Sequence, residues 1–386
     1  MTEETEKKEK TEDYEKREAK AVADGKSNMS RELFSRKVGR GSLFAEVREN
    51  PSIYPDHYML RAIDGVGTKL FLSQWLDRYD TIGQDLVAMS VNDLATFGRV
   101  ELDTMDVYFA VQAAIENEKM GQIMKGIDCA LMQCRKTPKV PINYGKLETA
   151  SLDEMITGPV PGYGYDISGT VTAFIRKNDV PSFEPEQGDV IVGFASSGLH
   201  SNGFTAARHM LLHPDVEPRE EWKSEYTGKF WLEDAAPCGK TIGELLLTPT
   251  LLYFSTTYKI AQEIPGTYGV NITGYGLKNF NRFGEGIKYL IHHAMEPHPI
   301  HALIMREGGY DVKKAYTKMN MGMGFAMIVK DYDQASRVIR IASEEGHRAK
   351  VVGHIEASDE QTPSVILDSR LHSLNMKVEE TFEGYD

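Results

Sequence analysis

The chain has 386 residues, 41% hydrophobic and 26% charged, and its 44 Lys and Arg against 57 Asp and Glu leave a formal net charge of -13. That length and balance suit a soluble globular protein of two ordinary domains, and the negative charge argues against nucleic acid or an anionic membrane as the partner, leaving a small molecule. The three cysteines, Cys129, Cys134 and Cys238, make no CxxC pair or zinc-spaced cluster, and no apolar run approaches the roughly 18 residues of a membrane span, so a reduced, cytoplasmic setting is expected.

Residues 1 to about 28 mix both charge signs with almost no large apolar side chains and lack the apolar core of a signal peptide. They read as a charged, disordered tail. Thereafter short β-rich runs alternate with helical periodicities, the pattern of an α/β or α+β protein. Strands are expected at "HYMLRAI", "TMDVYFA", "GTVTAFIR", "DVIVGFA", "GFAMIVK" and "KVVGHIE". The Pro- and charge-rich stretch between Thr170 and Val190 ends one strand and begins another. It sets a domain boundary, giving halves 29–178 and 179–386.

In the first half, "AIDGVGTKL" follows a strand directly. Asp64 stands where the strand breaks into Gly65-Val66-Gly67, and glycines there let a ligand approach the backbone, with Lys69 nearby as a positive charge. The order GTK differs from the common phosphate loop GxxxxGK[ST], and a structural turn fits the stretch as well. Within "DTIGQDLVAMSVNDLATFG", read as a helix stopping at Gly98, Leu86, Met89, Asp93 and Phe97 fall on one stripe. A carboxylate on an apolar stripe needs a cation or a core Lys or Arg. Asp106 shares a strand face with Tyr108, opposite Val107 and Phe109, and can face a cleft. Glu148 in "YGKLETASLDEM" reads alone as a surface-loop residue.

The second half opens with "GDVIVGFASSGLHSNGFTAARHML". A strand, a loop from Ser196 and Ser197 through Gly198, His200, Ser201 and Asn202 to Gly203, and a helix start together make an anion site, because first-turn amides and the helix dipole both favour negative charge. The same residues also suit a plain N-cap by Ser201 or Asn202. His200 is either a proton shuttle or an ordinary hydrogen-bonding residue. "NITGYGLKNFNR" and "NMGMGF" are further glycine-punctuated stretches open to backbone contact.

In order, the blocks "DGVGTK", "DTIGQDLVAMSVNDL", "DVYFA", "LETASLDEM", "YDISG", "GDVIVGFASSGLHSNGF", "LLTPTLLY", "ITGYGLKNFNR" and "NMGMGF" resemble the aminoimidazole ribonucleotide synthetase (phosphoribosylformylglycinamidine cyclo-ligase) family from about Lys37 to about Ile355. The resemblance implies an α/β (α+β) two-domain fold. Its N-terminal ATP-binding sheets pair across a homodimer, and its C-terminal α/β sandwich binds substrate and phosphate. It also implies ATP-driven ring closure of formylglycinamidine ribonucleotide, the fifth step of purine synthesis, with Mg2+. By the same resemblance Asp64, Asp93, Asp106 and Glu148 become metal ligands. Gly65, Gly67, Thr68, Lys69, Asn92 and Thr149 join the nucleotide site. Ser196 to Gly203, with Asn271 and Thr273, hold substrate, while Asp93, Lys69 and His200 serve catalysis.

The chain departs from the family pattern at three places. "RKVGRGSLF" offers only Gly39 and Gly41 for covering ATP, "GKLETASLDEM" alters the block carrying Glu148 and Glu154, and "NITGYG" puts Asn271 and Tyr275 where histidine and glycine are usual. Relatives of the same architecture include formylglycinamidine ribonucleotide synthetase, thiamine-phosphate kinase, selenophosphate synthetase and a hydrogenase-maturation dehydratase. The absence of cysteine before Cys129 speaks against selenium chemistry. A non-catalytic nucleotide-binding relative is the reading from another class.

Overall fold

The computed structural model describes residues 46–49, 55–112, 115, 117–135, 142–236 and 238–385. The charged tail and the "RKVGRGSLF" segment lie outside the described residues.

All six expected strands are present. The first sheet has the order β1-β2-β5-β3-β4, built from β1 (Glu46–Glu49), β2 (His57–Gly65), β3 (Glu101–Val111), β4 (Asn143–Ser151) and β5 (Tyr165–Arg176). Only the β3–β4 pair is parallel. The second sheet, β12-β11-β8-β10-β6-β9-β7, takes its strands from Val190 onward: β6 (Val190–Ala195), β7 (Tyr268–Asn271), β8 (Ile287–Ile291), β9 (Met323–Val329), β10 (Ala349–Ala357), β11 (Ser364–Leu371) and β12 (Met376–Glu383). Its inner strands β6 "VIVGFA" and β9 "MGFAMIV" are buried at every position, which is why they read as continuous apolar runs. Both sheets belong to one compact unit.

The first sheet has a closed and an open face. Leu60, Ala62, Met105, Val107, Phe109, Ile167, Val171 and Ala173 are buried on the closed face, against the helix Ile82–Ala95. Alternation sends Arg61, Ile63, Asp106, Tyr108 and Asp166 to the other side. The 82–95 helix is buried almost all round, because it also meets the helix Asn117–Cys134 and the helix Phe254–Glu263. Two glycines permit the first of these contacts. A Cβ on Gly83 would stand 2.2 Å from the Ile123 carbonyl oxygen, and one on Gly126 would stand 2.5 Å from that of Asp80. Gly83 in "DTIGQDL" therefore serves helix packing rather than ligand approach.

Candidate active site

β2 delivers Asp64 to the closed side of the first sheet, paired in register with Gly169, where a Cβ would stand 2.5 Å from Met105 Cε. The Asp64 Oδ1 accepts the Gly65 amide at 2.7 Å. Gly67 follows in the left-handed region at φ 68°, and a Cβ there would meet no atom within 4 Å, so this turn is open to a ligand as well as dependent on glycine. Thr68 comes next, its Oγ1 3.0 Å from that of Thr205 in the second half.

Asp93 lies beside Met89 on a half-buried stripe of the 82–95 helix. Its Oδ1 accepts from Asn271 Nδ2 at 2.8 Å, at the end of β7. Burial pushes the carboxyl up to about 7. The Asn271 hydrogen bond lowers it, Asp64 raises it, and the Arg282 guanidinium lowers it. Two carboxylates held together in a recess, one of them reluctant to ionise, form a site that a cation would relieve.

Across the cleft, Gly203 at φ 72° starts the helix Phe204–Leu211 with no side-chain cap, so neither Ser201 nor Asn202 occupies the first-turn amides. Asn202 faces Gly274, where a Cβ would lie 3.6 Å from Asn202 Oδ1. The Gly65–Thr68 turn, Asn202–Thr205, Thr273–Gly274 and the Asp93–Asn271 pair thus come together from four separate segments.

The remaining loop residues are spent on the loop itself. Ser196 Oγ donates to Asn320 Oδ1 at 2.9 Å, Asn320 Nδ2 donates to the Gly198 carbonyl at 2.8 Å, and Ser197 Oγ donates to the Pro249 carbonyl at 2.6 Å. His200 sits at φ 63°, almost fully buried, its Nε2 accepting the Ser197 amide at 3.3 Å. Burial, helped by Lys69 and His301, pulls it down to about 3. His200 is thus held as a loop brace, and its burial disfavours the charged ring that the expected proton shuttle would need near neutral pH.

Lys69 points inward. Its ammonium has no exposed surface and donates to Asp85 Oδ1 at 2.9 Å, to the His200 carbonyl at 3.0 Å and to the Thr248 carbonyl at 2.7 Å. With its three donors engaged it cannot steady phosphate in this arrangement. Its partner Asp85 is the acid that sequence reasoning missed. Asp85 is fully buried and also accepts from Ser201 Oγ (3.1 Å), the Thr250 amide (2.7 Å) and Thr250 Oγ1 (2.6 Å). The available signal was an acid followed by Leu86 and Val87 in a helix with apolar residues on every side. Asn92 also turns inward, donating to the Leu251 carbonyl and accepting the Tyr253 amide.

Asp106 and Glu148 do not join Asp64 and Asp93. The Asp106 register position shares the open face with Ile63, whereas Asp64 shares the closed face with Val107. Asp106 Oδ1 is held by the Lys146 amide at 2.6 Å, and Glu148 pairs with Lys146 Nζ at 2.7 Å on exposed β4, next to Thr149. No group of three or more His, Cys, Asp or Glu placed to hold a metal occurs among the described residues. Thr273 Oγ1 contacts Asn279 Oδ1 at 3.3 Å, which also accepts Arg282 Nε at 3.2 Å, and so links the Asn271 turn to Arg282.

Two consequences can be measured. Lys69→Met leaves Asp85 buried without its counter-charge and should cost about 3–5 kcal/mol in urea unfolding; a loss below about 1 kcal/mol would show that the pair is not structural. In metal-free protein the native Asp93 carboxyl keeps its proton up to about 7 against 3.8 in the unfolded chain. Native protein then binds the extra proton in that window, so stability falls as pH rises from about 4 to about 7 and levels off above. Asp93→Asn should remove that slope from the thermal midpoint, and an unaltered slope would assign it to other groups.

The described geometry agrees with what the chain resembles. A family model described as AIR synthase related protein, N-terminal domain, matches residues 48–172. Among solved structures, a HypE–HypF complex has TM-score 0.54 at 13% identity, covering 90% of this chain and 96% of that one. The hydrogenase maturation protein HypE in complex with ATP has TM-score 0.53 at 11% identity, covering 83% and 84%. At those identities the likeness is one of fold, a mixed α/β architecture with two sheets. The phosphoribosylformylglycinamidine cyclo-ligase of Methanocaldococcus jannaschii is 32% identical over 329 residues, 84% of this chain and 85% of that one. That of Symbiobacterium thermophilum is 34% identical over 324 residues, 82% and 85%. Similarity at this level over more than four-fifths of the chain places the protein in the phosphoribosylformylglycinamidine cyclo-ligase family.

Proposed function

We propose that this protein converts formylglycinamidine ribonucleotide and ATP to aminoimidazole ribonucleotide, ADP and phosphate. The observation that carries the reading is the 32–34% identity to named cyclo-ligases along more than four-fifths of the chain. In that reaction the formamide oxygen attacks the γ-phosphorus and ADP leaves. An amidine nitrogen then attacks the activated carbon, the phosphate is expelled with its oxygen, and loss of a proton completes the imidazole ring.

The cleft suits the phosphate part of this chemistry. Asp64 and Asp93 are two carboxylates on one side of it, enough for magnesium, which keeps waters and takes only one or two protein carboxylates beside phosphates. Magnesium, when bound, supplies positive charge to the phosphate oxygens and the departing ADP. The open turn at Gly67 lets phosphate reach backbone amides, and the uncapped first turn at Phe204 offers more of them. The residues 29–178 would bind ATP and the residues 179–386 substrate and phosphate. Asn271 aims the Asp93 carboxylate, and Lys69 with Asp85 holds the two loops at fixed separation.

A homodimer through the open face of the first sheet belongs to the same reading. Ile63 is 72% exposed and Tyr108 41% exposed there, large apolar side chains that a second copy's sheet would cover. The pairing would also bring Asp106 and Glu148 to the interface and out of the metal site.

Asp93→Asn should fold normally and lose Mg-ATP binding by at least tenfold in calorimetry, with ring closure falling in step. Wild-type protein that releases no ADP when given formylglycinamidine ribonucleotide, ATP and magnesium would sink the assignment. For the dimer, Ile63→Lys should move the sedimentation coefficient from dimer to monomer, and a monomeric wild-type protein at micromolar concentration would count against the interface.

A further inference from the structure

The chain after β12 reaches the candidate site. Asn281 Nδ2 donates to the carbonyls of Phe382 at 3.1 Å and Gly384 at 3.0 Å, fixing the backbone there. Gly384, at φ 60°, turns the chain back. Tyr385 then packs its ring 5.0 Å from that of Tyr275, and the Arg282 guanidinium carbon lies 4.2 Å from the Tyr385 ring centre. This is close for a cation over an aromatic face, and the Arg282 fork is shaped to receive phosphate oxygens.

Arg282 is tied to the cleft by a hydrogen-bonded relay. Its Nε donates to Asn279 Oδ1, which Thr273 Oγ1 also contacts, two residues after Asn271 with its bond to Asp93. Asn279 Nδ2 meanwhile donates to the Gly276 carbonyl at 2.8 Å, so the whole 271–282 turn holds one shape. Arg282 and Asp93 attract each other electrostatically across it. Tyr275, the departure from the glycine pattern noted in "NITGYG", is accounted for by this packing: it provides the surface on which Tyr385 rests.

We propose that Tyr385, backed by Tyr275, is a positioning residue that holds the Arg282 guanidinium against its ring, so that Arg282 meets phosphate oxygens entering the cleft opposite Asp93. Those oxygens belong either to the nucleotide or to the ribose phosphate of the substrate. The proposal rests on the cyclo-ligase reading for the ligands and on the Tyr275–Tyr385–Arg282 geometry for the residue.

Full-length wild type, Tyr385→Ala, Tyr385→Phe, Arg282→Ala and the Tyr385→Ala/Arg282→Ala pair separate the possibilities. Mg-ATP and formylglycinamidine ribonucleotide are titrated separately by calorimetry, followed by steady-state kinetics and thermal melts. Tyr385→Ala should weaken one of the two ligands by roughly 3- to 30-fold, the range of a cation–π contact, and that ligand identifies whose phosphate Arg282 meets. Tyr385→Phe should restore the affinity, and the thermal midpoint should stay near that of the wild type. The second substitution in the pair should add nothing to Arg282→Ala. Unchanged affinity for both ligands in Tyr385→Ala, or additive losses in the pair, overturns the proposal while the cyclo-ligase reading stands. Wild-type protein that binds neither ligand overturns both.

Discussion

A lysine ammonium with no exposed surface has to find its charge and hydrogen-bond partners inside the protein, and Lys69 finds them in three segments distant in sequence. It gathers Asp85 from the first long helix, His200 from the "SSGLHSNG" loop and Thr248 from the stretch before the Phe254–Glu263 helix. Asp85 in turn holds Ser201 and the amide and hydroxyl of Thr250. Breaking any member leaves a buried group unpaired, so the network has essentially one low-energy arrangement. In that arrangement the Gly65–Thr68 turn of the first sheet faces the Asn202–Thr205 turn of the second half.

The chemistry of the cleft follows from what this network leaves over. The loop's three serine hydroxyls and the His200 ring are committed to internal bonds, whereas the first-turn amides at Phe204 carry no side-chain cap and the turn at Gly67 stays open, with the Asp64–Asp93 recess beside them. Under the proposed function, recognition there would use backbone amides, a pair of carboxylates and the Arg282 side. That is a suitable set for a magnesium-bearing polyphosphate, since the amides and the metal bind the same oxygens from different directions.

Reading the chain residue by residue reached the strands and the loops, because alternation and glycine placement are local properties. It also reached Asp64, Asp93, Asn202, Gly203 and Asn271, which the structure brings to one cleft. It went astray where a residue's role depended on a distant partner. Lys69 beside a glycine turn looked like a phosphate ligand until Asp85 appeared 16 positions on, folded against it. His200 in a polar loop looked titratable, whereas burial first, and the nearby Lys69 and His301 next, disfavour its charged form. Asp106 and Glu148 were the right residue type on the wrong face: in-register pairing puts Asp106 in line with Ile63 and Asp64 in line with Val107.

By itself the sequence determined the elements, the family and the four segments that meet at the cleft, since β-alternation, glycines with positive φ and ordered blocks of similarity are all carried by near neighbours along the chain. Only the tertiary structure decided which acids share a recess, which lysine is spent on a buried pair, and that Tyr385 folds back over Arg282 beside Tyr275. Those outcomes depend on burial and on contacts between segments up to 179 residues apart, such as Lys69 and Thr248. The free energy of a charge is set by what surrounds it in space, and the order of residues along the chain does not state that.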